Sequence, residues 1–236
     1  GGSASTWTPS IVEGGQGESY TGTGTVSTAA SAGAGGGGTR STGGAYWGAA
    51  GGGGGYGSAG LSGLRDSRDS GSQTTPGVGG AAYGMADLSK LMFGSGGGGC
   101  GAYISSSNGN PGYIGGGILY VAANKISVAG GIQAKGQSTN GSGVDTGGSG
   151  AGGSIYLYAN ILNLGPSKVL ATGGGGGGSY YDYAAGLSGG YGRIRTDVAI
   201  VLGASNPAPY TSYLNRAVPE PVTFVGQEQV AAASAY

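Results

Sequence analysis

The 236-residue chain has no histidine, one cysteine, two phenylalanines, two tryptophans and two methionines, and only 8% of its residues are charged. Each scarcity removes a class of function. Without histidine the Ser-His-Asp triad and the commonest general base are gone. With a single cysteine as well, the usual zinc ligand sets are out of reach, and neither a metal nor a cofactor is expected. Ten basic residues cancel ten acidic ones. No basic stripe is therefore left to neutralise phosphates, and no nucleic-acid partner is expected. So few charges at zero net balance also favour self-association over repulsion between copies. No apolar run reaches the roughly 18 residues of a transmembrane helix, so no membrane span is expected. Cys100, within GGGGCGAY, has no partner for an internal disulfide. It reads as a small residue in a crowded glycine layer, with an intermolecular bridge as the sharper alternative. The opening GGSASTW, lacking Met and a charged-then-apolar leader, reads as a processed chain or a fragment.

Formal motif matches are present and each lacks its context. Residues 186–190 (GLSGG) fit G-x-S-x-G, but no histidine exists to serve the serine. Residues 55–60 and 148–153 fit G-x-G-x-x-G; the second precedes a strand pattern, so a phosphate cradle at a helix start is missing. Residues 140–145 (NGSGVD) resemble one turn of a calcium-binding nonapeptide repeat, without a second copy. Asn140 also opens an N-x-S sequon, a candidate glycosylation site.

What the chain does have is glycine, 62 residues of it, and tyrosine, 16 residues. Glycine and proline together make about 30%, a level that without a G-X-Y period ordinarily signals low complexity. Residues 115–178 oppose that reading, because they state one pattern twice: GGGILYVAANKISVAGGIQAKG and GGSIYLYANILNLGPSKVLATG. At an offset of 36, Leu119, Val121, Ala123, Asn124, Ile126 and Val128 align with Ile155, Leu157, Ala159, Asn160, Leu162 and Leu164. One inserted residue then brings Ile132, Ala134 and Gly136 onto Val169, Ala171 and Gly173. Self-similarity at this period is the mark of stacked repeats.

Within each copy the apolar residues alternate, as in a strand with one buried face. The parity slips at Asn124 and again at Asn160. Asparagine tolerates the left-handed conformation, so the slip predicts a corner between two short strands. A degenerate third copy, GGYGRIRTDVAIVLG, sets Ile194, Thr196 and Val198 where Ile155, Leu157 and Ala159 stand. Its outward Arg193 and Arg195 would cap the stack.

The remaining chain divides by texture. Residues 1–114 form a Gly/Ser/Thr-rich region, 115–205 the repeats and 206–236 a proline-containing arm. Glycine runs at 51–55 and 96–99 can order as extended segments packed side by side, with backbone groups paired between neighbours. Tyr46, Trp47 and Tyr56 would flank that layer. Residues 64–70 (LRDSRDS) read as an exposed charged loop. Met85, Leu88, Leu91 and Met92 have helix-like spacing over residues 81–93, the one candidate helix. Tyrosine joins a flat apolar face to a hydroxyl and suits both subunit contacts and sugar stacking. Candidate contact residues are therefore Tyr46, Trp47, Tyr56, Tyr180, Tyr181, Tyr183 and Tyr191, with 179–187 the foremost loop. Pro207, Pro209, Pro219 and Pro221 hold the tail extended and out of a central sheet. Val222, Phe224, Val225 and Val230 could dock as an arm on a neighbouring subunit.

The repeat segments and GGYGRIRTDV resemble the glycine-rich repeats of secreted bacterial and archaeal surface proteins and of phage tail fibres and adhesins. The resemblance covers residues 115–205 and, through glycine runs alone, part of 33–101. It implies a rigid extracellular fibre or adhesive element without enzyme activity, and carries over no functional residue. The expectation is an all-β chain: parallel β-solenoid-like repeats with glycine-rich, polyglycine-type loops and little or no helix. Such a chain would be an extracellular structural subunit that polymerises with itself. The alternatives are a fibre tip binding cell-surface glycan and an ice- or surface-binding module using Thr21, Thr23 and Thr25.

Overall fold

The computed structural model describes residues 2, 16–17, 19, 28–30, 33–39, 48–67, 74–101, 109–139, 146–177 and 187–214. Its strands lie in the repeats, except the last, which falls in the proline-containing arm. The three long strands are β1 (Ile118–Ser127), β3 (Ser154–Asn163) and β5 (Arg193–Leu202). The short ones are β2 (Ile132–Gln133), β4 (Val169–Leu170), β6 (Ser205–Asn206) and β7 (Tyr210–Tyr213). They form two sheets, ordered β1-β3-β5-β7 and β2-β4-β6, and every pairing is parallel. Among the described residues the chain is strand-rich and has no helix.

The register follows the sequence alignment. Leu119, Val121 and Ala123 lie opposite Ile155, Leu157 and Ala159, which in turn lie opposite Ile194, Thr196 and Val198. The inserted residue sets Ile132 against Val169. A one-residue slip would turn every inward side chain outward, so burial of one face fixes this register.

The parity slip is resolved differently from the expected corner. β1 and β3 run unbroken through Asn124 and Asn160, and neither asparagine has a positive φ. The inward set changes from Ile155, Leu157 and Ala159 to Leu162, all buried, within one strand. The two asparagines drop out of the paired register and bond through their side chains instead, Asn160 Nδ2 donating to Asn124 Oδ1 at 2.6 Å.

Between the sheets lies a core of Ile126, Val128, Ala134, Ile155, Leu157, Ala159, Leu162, Leu164, Val169, Ala171, Ile194 and Val198. Each large aliphatic here contributes about 1.5–3 kcal/mol of burial. The core is unevenly closed. Ile155, Leu157 and Val169 are fully buried, whereas their first-repeat counterparts Leu119, Val121 and Ile132 are only partly so. Among the described residues β1 has a paired neighbour on one side alone.

The glycine tracts order by another route. Along residues 49–55 successive N–H groups point in three directions. Ala49, Gly52 and Gly55 donate to Thr39, Gly36 and Gly33; Ala50 and Gly53 to Leu64 and Leu61; Gly51 and Gly54 to Thr146 and Ser149. The carbonyls serve three further segments. Ala50, Gly53 and Tyr56 accept from Gly77, Gly80 and Tyr83, Ala49 and Gly52 from Gly101 and Gly98, and Gly54 from Gly190. A turn of three residues, as in polyproline II, yields this threefold pattern, and six neighbours then surround the central tract. Glycine is required by proximity: a Cβ on Gly52 would overlap the Val78 carbonyl, and one on Gly51 the Gly98 carbonyl.

Residues 81–93 correct the expected helix. Gly84 and Leu88 take positive φ values of 68° and 50°, and left-handed residues interrupt an α-helical ladder. The loop's apolar side chains close over the lattice instead, Leu88 joining Tyr56 and Ala151 with Tyr83, Leu91 and Met92 packed around them.

Candidate assembly surface

Tracts 112–117, 146–153 and 187–192 run directly into β1, β3 and β5, so the lattice aims the strands. Tyr56 seals the junction. It is fully buried, its hydroxyl 2.7 Å from Ser154 Oγ and its ring 4.9 Å from that of Tyr83. Burial raises its pKa above the ordinary tyrosine value, outweighing the Ser154 hydrogen bond and the Arg193 charge. Ser154 Oγ in turn donates to the Met92 carbonyl and accepts from its N–H. A residue read from sequence as a contact candidate is thus a structural plug.

The outer face of the long sheet carries a row that runs across all four strands: Tyr120, Tyr156, Arg195 and Tyr210. Tyr120 and Tyr156 pack at 5.1 Å. The Arg195 guanidinium lies over Tyr156 at 4.9 Å and Tyr210 at 5.9 Å, a cation–π arrangement. Asp197 organises the row, accepting from Arg195 Nε and Nη2 at 2.8 Å each and from the Tyr156 hydroxyl at 2.6 Å. Arg195 Nη1 also donates to the Asp87 carbonyl at 2.6 Å, tying down the 81–93 loop. Hydrogen bonding to Arg195 holds the Asp197 carboxyl below its usual range. Burial, then the bond to Asp197, pushes Tyr156 up to about 12. The row's polar centre is internally satisfied, while its ends, Tyr120 and Tyr210, are 55% and 48% exposed.

Arg193 and Arg195 are therefore not an outward cap. Arg193 donates to the carbonyls of Tyr83 and Gly84, Arg195 serves the row, and β7 extends the sheet beyond them. The proline-flanked tail enters at the sheet's edge, where a missing N–H is tolerated. Thr211 Oγ1 meets Thr196 Oγ1 at 3.0 Å, and Tyr213 stands 69% exposed.

Two cavities flank these elements. One, of about 440 Å³, is lined by Tyr83, Leu91, Met92, Phe93, Ile114 and Ile118, beside the β1 edge. The other, of about 400 Å³, is lined by Ser58, Leu61, Thr172, Ser188 and Tyr191 together with glycine backbone. Tyr191 is half-exposed there. Cys100 is buried, as the bland reading holds, and its Sγ accepts from the Asn110 N–H at 2.9 Å. Asp66, expected in an exposed charged loop, is buried. Tyr46, Trp47, Tyr180, Tyr181, Tyr183, Asn140, Thr21, Thr23, Thr25, Val222, Phe224, Val225 and Val230 lie outside the described residues.

Sequence reasoning passed over the Tyr120–Tyr156–Arg195–Tyr210 row. Its signal is the outward parity of the aligned copies, which sets Tyr120, Tyr156 and Arg195 in one column. Among the described residues no cluster of three or more His, Cys, Asp or Glu side chains could hold a metal ion. No helix there is long and apolar enough to cross a membrane. Compared with known proteins, the chain matches no family model, no curated protein and no solved structure.

Proposed function

We propose that this chain is a non-enzymatic structural protein outside the cell, whose copies assemble into a filament or surface fibre. In this reading the repeats are coils of a short parallel β-solenoid, each contributing one strand to either sheet. The observation that carries it is the unequal closure of the core. Leu119, Val121 and Ile132 are only partly buried where Ile155, Leu157 and Val169 are sealed, and among the described residues β1 has no neighbour on its outer side. Solenoid repeats gain stability from the neighbour that covers them. The low charge of the chain leaves little repulsion to oppose a covering copy. The extracellular setting follows the resemblance to secreted glycine-rich surface proteins. Electron microscopy of the purified protein tests the reading: filaments of uniform width are expected, and compact single particles at every concentration would overturn it.

A second reading, a fibre tip binding neutral cell-surface glycan, is favoured by the cavity beside Tyr191. Its lining holds three hydroxyl side chains, an aromatic face and no charge. Retention on a glycan array, lost in Tyr191→Ala, is the expected signature.

A further inference from the structure

We infer that copies join within the long sheet, β7 of one copy pairing in parallel with β1 of the next. This rests on the fibre reading above and supplies its joint. Every pairing in both sheets is parallel. The strand leaving one end therefore has the polarity required by the strand waiting at the other. Among the described residues β1 and β7 bound the long sheet, so a translation by four strand spacings brings these two edges together. Such a head-to-tail contact does not close on itself and propagates as a filament.

The rows of side chains show what each edge lacks. The row Ala123–Ala159–Val198–Tyr213 begins with a methyl and ends in a phenol ring that is 69% exposed. Continued into a second copy, it seats Tyr213 on Ala123, the bulkiest member on the smallest. The neighbouring inward row places Thr211 on Val121, covering an aliphatic that is only partly buried. On the outer face Tyr210 meets Tyr120, extending the row of Tyr120, Tyr156 and Arg195 by another aromatic. Parallel pairing also satisfies the edge N–H and C=O groups that an end strand leaves unpaired.

The same register sets Ser212 of one copy opposite Ala122 of the next. Adjacent strands lie roughly 4.8 Å apart, within disulfide reach. The full-length double variant Ala122→Cys with Ser212→Cys, oxidised after assembly, should run as a ladder of covalent oligomers on a non-reducing gel. Neither single variant should give a ladder. Filaments that form without the ladder overturn the edge-to-edge joint and leave the fibre reading standing. If the unmodified chain gives no filaments, both fall. Tyr213→Asp supplies a second measurement that does not depend on disulfide geometry. Because that side chain is exposed, the melting temperature should stay unchanged while sedimentation shifts from polymer to monomer. Assembly as before would also overturn the joint.

Discussion

The lattice around residues 49–57 and the sheets of the repeats solve one problem by opposite means. Both must hold extended chain in place. In the sheets, side chains do it: Ile155, Leu157, Leu162 and Val169 fill the space between strands, and the backbone ladder follows. In the lattice there are almost no side chains, and the backbone donates and accepts in three directions at once. The sheets are thus specified by what is present at each position and the lattice by what is absent from it. Folding costs glycine more entropy than any other residue. The lattice offsets this with hydrogen bonds that run on from segment to segment. Gly148 donates to Gly98, Gly98 to Gly52, Gly52 to Gly36, Gly36 to Val78 and Val78 to Thr28, and such chains strengthen one another by polarisation.

The sharpest way to break this comparison is to add a methyl group. Gly52→Ala should be among the most damaging substitutions in the molecule, above about 4 kcal/mol, because its Cβ would meet the Val78 carbonyl and rigid backbone cannot turn aside. Urea unfolding with a circular-dichroism readout measures it. Gly130→Ala, where nothing lies within 4 Å of the added carbon, should change stability by no more than about 0.5 kcal/mol. A comparable loss at both sites would mean that glycine serves the lattice through flexibility, not proximity.

In the sheets the damaging change is a deletion. Leu157→Ala removes a fully buried side chain and should cost about 3 kcal/mol. Leu119→Ala alters the same core at its open end and should cost about half as much in the single chain. Under assembly conditions the gap should narrow, since a covering copy would bury Leu119. Equal costs in the dispersed chain would deny that the first repeat is incomplete.

How much of each region was legible follows from the same contrast. The strands and their register could be read residue by residue, because alternation and the offset of 36 record which side chain faces which. The lattice could be anticipated as a layer but not threaded. Runs such as 51–55 and 96–99 are uniform, and nothing in them says that Gly52 accepts from Gly98 and not from a neighbour three residues away. The helix expected over 81–93 failed because its spacing was read without the backbone. Met85, Leu88, Leu91 and Met92 can share a helical face, yet left-handed turns at Gly84 and Leu88 carry Leu88 onto Tyr56. Tyr56 itself was legible as a flanking aromatic. Its burial was not, since that depends on Ser154, which is 98 residues distant.

The outer row offers a milder test, set by protons. The Asp197 carboxyl titrates below its unfolded value, chiefly through its bond to Arg195. Its contribution is thus present above about pH 4 and lost as pH falls through the folded pKa. Tyr156, raised to about 12, contributes fully below about pH 10 and loses that contribution as pH climbs towards 12. Asp197→Asn should cost about 1–2 kcal/mol near neutrality and flatten the acid limb of stability against pH. An acid limb unchanged in the variant would assign it to other carboxylates.

The smallest effect belongs to the asparagine pair. Asn160→Ala deletes the 2.6 Å bond to Asn124, but the pair is exposed and water can replace it. The expected loss is below about 0.5 kcal/mol. The stronger expectation concerns geometry. The parity slip is held by the burial of Ala159 on one side and Leu162 on the other, so it should survive removal of the amide. Hydrogen exchange at Val128, whose N–H donates to the Asn163 carbonyl at 2.9 Å, reports on it directly. Unchanged protection places the slip with side-chain burial, as the sheets require. Lost protection would mean that the asparagines impose it, and that the sheets, like the lattice, depend at this point on hydrogen bonding more than on packing.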